Sequence, residues 1–183
     1  MAKKRGDSSA LPISEVQVTI KGTSPLVLLP LGAFKGQHLT DDQDRVEESL
    51  KLYRRHDKRA GFPAGGIKRA VQESMQGLDL ETRRSVESGM HIVGEDETNM
   101  VVLEGEHHGE SFDFDFKRPK RTVTLKLPVL DQWRATFLVQ FIGQSISQKH
   151  VEKFLGDAGK KVGLGHRRPE RGTFEVENIV SVN

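Results

Sequence analysis

Apolar and polar positions divide the chain into short segments of different period. In residues 15–21, Val16, Val18 and Ile20 alternate with Gln17, Thr19 and Lys21, which predicts a strand with one apolar face, ended by Gly22. After the apolar run 26–29, Pro30, Gly32 and Gly36 break any regular element. An acidic cluster (Asp41, Asp42, Asp44, Glu47, Glu48) then gives way to a basic one (Arg54, Arg55, Lys58, Arg59), which reads as a polar insertion with a short helix near 44–53. A tight loop at 61–66 feeds a helix, because Ile67, Ala70, Val71 and Met75 recur at helical spacing until Gly77.

Strand patterns follow at 90–93, 100–103, 111–116 and 122–127, separated by glycines and charges, so at least one β-hairpin is expected. The mostly apolar run 135–143 predicts a central strand buried on both faces. A second helix has Ser145 and Gln148 spaced as a capping box and Val151, Phe154 and Leu155 on one face, with Gly156 and Gly159 closing it. A glycine-rich basic loop, 163–172, then delivers a last strand carrying Phe174, Val176, Ile179, Val180 and Val182. This order predicts an α+β fold with a ferredoxin-like, RRM-like βαββαβ core. Residues 1–11 read as a flexible polar tail, and 12–183 as one domain with insertions near 30–60 and 95–121.

Composition narrows the function classes. The 183 residues, 35% hydrophobic and 30% charged, suit one domain with a moderate core. No run approaches the roughly 18 apolar residues of a membrane helix, and the N-terminus has no apolar signal core, so a soluble, cytoplasmic protein without membrane partners is expected. The absence of Cys removes disulfides, thiolate metal sites and cysteine nucleophiles. The net charge of +2 conceals segregation: residues 51–69 hold seven Lys or Arg against Asp57, and residues 160–171 hold five against Glu170. The compensating acids lie in 41–48 and 95–115. Such segregation suits head-to-tail contact between copies in a homo-oligomer or filament; a solvated acidic hairpin is the simpler account.

Two loops carry the candidate chemistry. In the first, Gly65 and Gly66 stand at the expected helix N-terminus with Lys68 and Arg69 in its first turn, and free N–H groups beside cations suit a phosphate oxygen. Arg54 and Arg55 lie shortly upstream. In the second, Gly163, Gly165 and Gly172 accompany His166, Arg167, Arg168 and Arg171, so backbone and guanidinium groups could both approach a phosphodiester chain. The alternative for each loop is a plain tight turn with solvated charges.

The segment 62–70 (Phe-Pro-Ala-Gly-Gly-Ile-Lys-Arg-Ala) resembles the Pro-Gly-Ser-Ser-aliphatic-Lys-Gly segment of the RAMP superfamily, which includes backbone subunits of CRISPR effector complexes. Residues 163–176 look like that superfamily's C-terminal glycine-rich loop and following strand. Ala64, Gly65, Gly66 and Arg69 depart from the pattern, which has Gly, Ser, Ser and Gly there. The resemblance implies an RRM-related fold that holds RNA or single-stranded DNA, often by polymerising along it.

Other constellations weigh less. Phe112, Phe114 and Phe116 alternate with Asp113 and Asp115, and their rings suit packing better than base stacking beside two carboxylates. His107 and His108 would point apart on a strand, a poor start for a metal site, and no cofactor is expected. Trp133 reads as core, and Tyr53 is the one tyrosine able to stack on a base. Some RAMP relatives cleave RNA with an Asp after the first strand, the region of Asp41, Asp42 and Asp44, and His166 is a lone acid–base candidate with no second base. The leading expectation is therefore a non-catalytic RNA- or single-stranded-DNA-binding protein, with the loops 65–69 and 163–171 on the backbone. A structural assembly protein, of a filament or associated with a capsid, is the alternative, and a ribonuclease the lesser one.

Overall fold

The computed structural model describes residues 12–29, 43–44, 59–95, 99–117 and 120–182. Its elements are β1 (Ile13–Gly22), β2 (Leu26–Val27), β3 (Gln43–Asp44), β4 (Gly61–Pro63), α1 (Ala64–Ser74), α2 (Leu80–Gly89), β5 (Met90–Val93), β6 (Met100–Glu104), β7 (His107–Lys117), β8 (Lys120–Leu130), β9 (Arg134–Ile142), α3 (Gln148–Lys161) and β10 (Phe174–Val182).

The main sheet runs β10, β1, β9, all antiparallel; β5 and β6 line the far edge of β9 in succession, and β4 pairs outside β6. With β5 and β6 counted as one interrupted strand, β1, α1, β5–β6, β9, α3 and β10 form the βαββαβ core expected from the sequence. Alternation decides which face is covered. Val16, Val18 and Ile20 of β1 and Ala135, Phe137, Val139 and Phe141 of β9 are buried in one core with Ile67, Ala70 and Val71 of α1 and Val151, Phe154 and Leu155 of α3. The other face of β9 is half-buried, so the run 135–143 is a one-sided strand, not one buried on both faces. Its neighbours explain this: across from it stand Glu15, Gln17 and Thr19, whose polar side chains keep that face toward water.

A second, smaller sheet centres on β8, paired with β2 and β3 along one edge and with β7 along the other. It has its own core of Val27, Phe112, Val123, Leu125, Leu127 and Val129, against which Leu29, Phe114 and Phe116 pack. The three phenylalanines thus serve packing, while Asp113 and Asp115 on the opposite face of β7 accept hydrogen bonds from Thr124 and Thr122, both 2.6 Å.

The helices depart from the sequence reading in three places. Gly61–Pro63 is strand, and α1 begins at Ala64, so Gly65 and Gly66 lie inside its first turn rather than in a preceding loop. The helix α2 had no counterpart in the hydrophobic pattern, because only Val86 and Gly89 are buried; its start is marked instead by Asp79, which accepts from the Thr82 N–H at 2.8 Å. The capping box of α3 is Ser147 with His150, and the helix continues through Gly156 and Gly159 to Lys161. Gly159 is there for contact: a side chain at this position would overlap the backbone carbonyl of Phe174, which packs directly on the helix. Of the helix expected near 44–53, Asp44 belongs to β3 and the remainder lies outside the described residues.

Candidate nucleic-acid interface

The 163–172 loop is built by backbone geometry before any side chain matters. Gly163, Gly165 and Gly172 have φ of +74°, +72° and +75°, a region open to glycine at little cost. At Gly172 a side chain would also collide with the Leu164 carbonyl oxygen. The loop closes on itself through the Leu164 N–H to the Gly172 oxygen (2.8 Å) and the Arg171 N–H to the Arg167 oxygen (3.0 Å). It is tied to the β2 region by the His166 N–H to Val27 (2.9 Å) and the Gly172 N–H to Pro25 (2.8 Å). Arg167 itself has φ +64°, a costly conformation for a residue with a side chain, held in place by these bonds.

The side chains divide into those that fasten the loop and those that face outward. Arg171 makes a two-pronged pair with Glu110 of β7 at 2.8 and 3.1 Å and lies 5.8 Å from the Phe112 ring centre. His166 stacks on Phe114 at 5.2 Å; its Nε2 is buried with no hydrogen-bond partner, and burial, aided by the neighbouring Arg167 charge, holds its pKa below the ordinary 6.5. These two residues clamp the β7–β8 hairpin to the main sheet. Arg167 donates to the Asp113 carbonyl at 3.1 Å, sits 6.0 Å from the Phe112 ring centre, and meets no carboxylate among the described residues.

Arg168 reaches Glu73 on the last turn of α1 at 3.3 Å. Glu73 also receives Arg69, one helical turn earlier, at 2.9 Å. The two basic segments of the sequence therefore meet over one carboxylate. Beside it opens a groove of about 630 Å³ lined by Glu73, Gln76, Lys161, His166, Arg167 and Arg168, among others.

The structure does not bring all the expected residues together. Gly65 and Gly66 are eight residues and seven residues before Glu73 in α1, which puts Gly65 about 12 Å away along the helix axis. The Ala64 N–H is bonded to the Asn99 oxygen at 3.0 Å, Gly66 lies under the Phe62 ring, and Lys68 donates to the Glu87 carbonyl of α2 at 2.9 Å. The first glycine segment and the 163–172 loop thus flank opposite ends of α1. Arg54 and Arg55 lie outside the described residues, as do Asp41, Asp42 and Tyr53. Glu73 is a site residue that sequence reasoning passed over, while Lys161 and Glu110 entered it only as members of the basic segment 160–171 and the acidic segment 95–115. Only Glu73 left a local signal, its spacing of four from Arg69.

The open face of the main sheet has a different character. Strand register places Glu15, Gln17 and Thr19 beside Gln140, Leu138 and Thr136, with Val180 and Val182 of β10 next to Gln17 and Glu15. No Phe, Tyr or Trp projects from β1, β9, β10 or β5 on this face, where the exposed imidazole of His91 beside Gln140 is the one ring able to stack on a base. Trp133 is buried and donates to the Ser24 carbonyl at 2.9 Å. His108 pairs with Asp131 at 3.2 Å, and among the described residues no three His, Asp or Glu gather as a metal would need. Among the described residues, no helix is long and apolar enough to cross a membrane.

No protein-family model and no curated protein matches the sequence. Among solved structures, the chain is similar to a chain of the type III-B Cmr-beta complex bound to cognate target RNA, with a TM-score of 0.51 and 15% identity over 93% of this chain. It spans 61% of that chain's length. Cmr6 from Pyrococcus furiosus aligns with a TM-score of 0.47 and 10% identity over 91% of this chain and 100% of that one. At 15% identity, the likeness to the Cmr-beta chain is one of fold.

Proposed function

We propose that this protein is a non-catalytic RNA-binding subunit that holds the phosphate backbone of a single strand in the groove beside the 163–172 loop. The observation that carries this reading is Arg167: the loop fixes its backbone in a costly conformation and leaves its guanidinium with a neutral oxygen as partner, at the mouth of a groove shared with Arg168 and Lys161. Backbone N–H groups and guanidinium forks recognise phosphate without reading sequence, which suits a subunit that must hold any strand. The RNA-bound complex containing the similar Cmr-beta chain supports RNA over single-stranded DNA as the ligand. A non-catalytic role is supported by the burial of His166 Nε2, which leaves that nitrogen no access to a strand.

Anisotropy titration of labelled single-stranded RNA and DNA tests this. RNA binding should weaken with salt by about 0.7 log units per phosphate contact for each tenfold rise in salt. Absence of RNA binding at low salt overturns the proposal, and preference for DNA replaces its ligand. A second reading, assembly through protein contacts, draws on Ile13, Val180 and Val182, which are 69%, 48% and 42% exposed at one corner of the open sheet face. In the same account, copies or sister subunits assemble along the strand through such surfaces.

A further inference from the structure

We infer that Glu73 marks a phosphate subsite, its carboxylate occupying in the unloaded protein the place a backbone phosphate of bound RNA takes between Arg69 and Arg168. The inference rests on the proposed function and names one contact within it. Each oxygen of Glu73 takes one guanidinium, Oε1 from Arg69 at 2.9 Å and Oε2 from Arg168 at 3.3 Å. A carboxylate held between two guanidinium groups presents the arrangement that a phosphodiester's two free oxygens would. Among the described residues lining the groove Glu73 is the sole carboxylate, and it is the anion held between Arg69 and Arg168; Lys161 on the other side is paired with Asp157 at 3.2 Å.

Two features make the exchange easy. The side chains of Arg69, Glu73 and Arg168 are 76%, 31% and 33% exposed, and exposed ion pairs of this kind are held weakly against water and salt. Glu73 also stands in the last turn of α1, which contains no basic residue, and a negative charge is disfavoured at that end of the helix dipole. A carboxylate in this position is stabilised by its two arginines and little else. On RNA binding, the phosphate takes over the guanidinium groups and Glu73 turns to solvent at the groove rim. The carboxylate thus keeps both arginines oriented before binding and sets a threshold against weak anions.

The test is to titrate labelled single-stranded RNA with the wild-type chain, Glu73→Gln, Arg69→Ala/Arg168→Ala, and the combination of all three. Removing the competitor should tighten binding by about fivefold and steepen the salt dependence by about 0.7. The gain should vanish in the background lacking both arginines, where Glu73→Gln has nothing to release. Glu81→Gln, the same charge change at an exposed site on α2, should leave affinity unchanged. Unchanged or weakened binding by Glu73→Gln, while the wild type binds, overturns the subsite and leaves the proposed function standing. An equal gain from Glu81→Gln overturns it as well, by reducing the effect to net charge. Failure of both wild type and Glu73→Gln to bind overturns the proposed function and this subsite with it.

Discussion

The two glycine-rich basic segments look alike along the chain and do different work in the fold. In 61–69, Gly61 belongs to β4, while Gly65 and Gly66 lie in the first turn of α1; Gly66 sits under the Phe62 ring, and Gly65 faces open space. In 163–172 the glycines are required by the backbone itself, all three with positive φ and two of them, Gly165 and Gly172, against a carbonyl. The first segment is thus a helix start that tolerates glycine. The second is a fixed scaffold that aims arginines. What distinguishes the second segment is a backbone conformation that needs its glycines together with a cation, Arg167, that meets no carboxylate among the described residues.

Substitutions should separate the two segments, most sharply in stability. Gly172→Ala forces a side chain into the Leu164 carbonyl at positive φ and should cost about 2–3 kcal/mol, read as a lowered urea midpoint. In binding, Arg167→Ala should weaken RNA affinity by about tenfold, whereas Lys68→Ala, whose ammonium is spent on the Glu87 carbonyl at the far side, should change it little. Equal losses would return the two segments to equal standing. Gly65→Ala, with nothing near its missing side chain, should stabilise the chain by about 0.5 kcal/mol, the reverse of Gly172→Ala.

The smallest effect expected is in pH. The His166 pKa is depressed in the folded state, chiefly by burial, so the unfolded chain binds the proton more readily. The stability that neutral His166 contributes is fully present above the ordinary pKa of 6.5 and is lost as pH falls below it toward the folded value. Denaturation midpoints measured from pH 7.5 down to about 5 should fall less steeply in His166→Phe than in the wild type.

Much of the fold was legible because local periodicity reports it. The alternation in β1 and the helical spacing in α1 each follow from the face a strand or helix must bury, whereas the one-sided burial of β9 was hidden by its mostly apolar run. What escaped was non-local. Gly159 looked like a helix stop because the packing of Phe174 against it comes from residues beyond the next loop. The helix α2 buries too little to leave a stripe. At the site, the arginines were visible as a cluster, but their division into clamps and free hands was not. Arg171 is claimed by Glu110 and Arg168 by Glu73, partners 61 and 95 residues away that only the folded chain brings near.

The central claim is that the strand crosses the groove beside the 163–172 loop and not the open face of the sheet. Photocrosslinking with 4-thiouridine-substituted single-stranded RNA, followed by mass spectrometry of the digested protein, reads this directly. Crosslinks should fall on peptides covering 161–171 and the end of α1 around Glu73. Crosslinks concentrated on β1, β9 and β10, on the face carrying Gln17, Leu138 and Val180, would contradict the account.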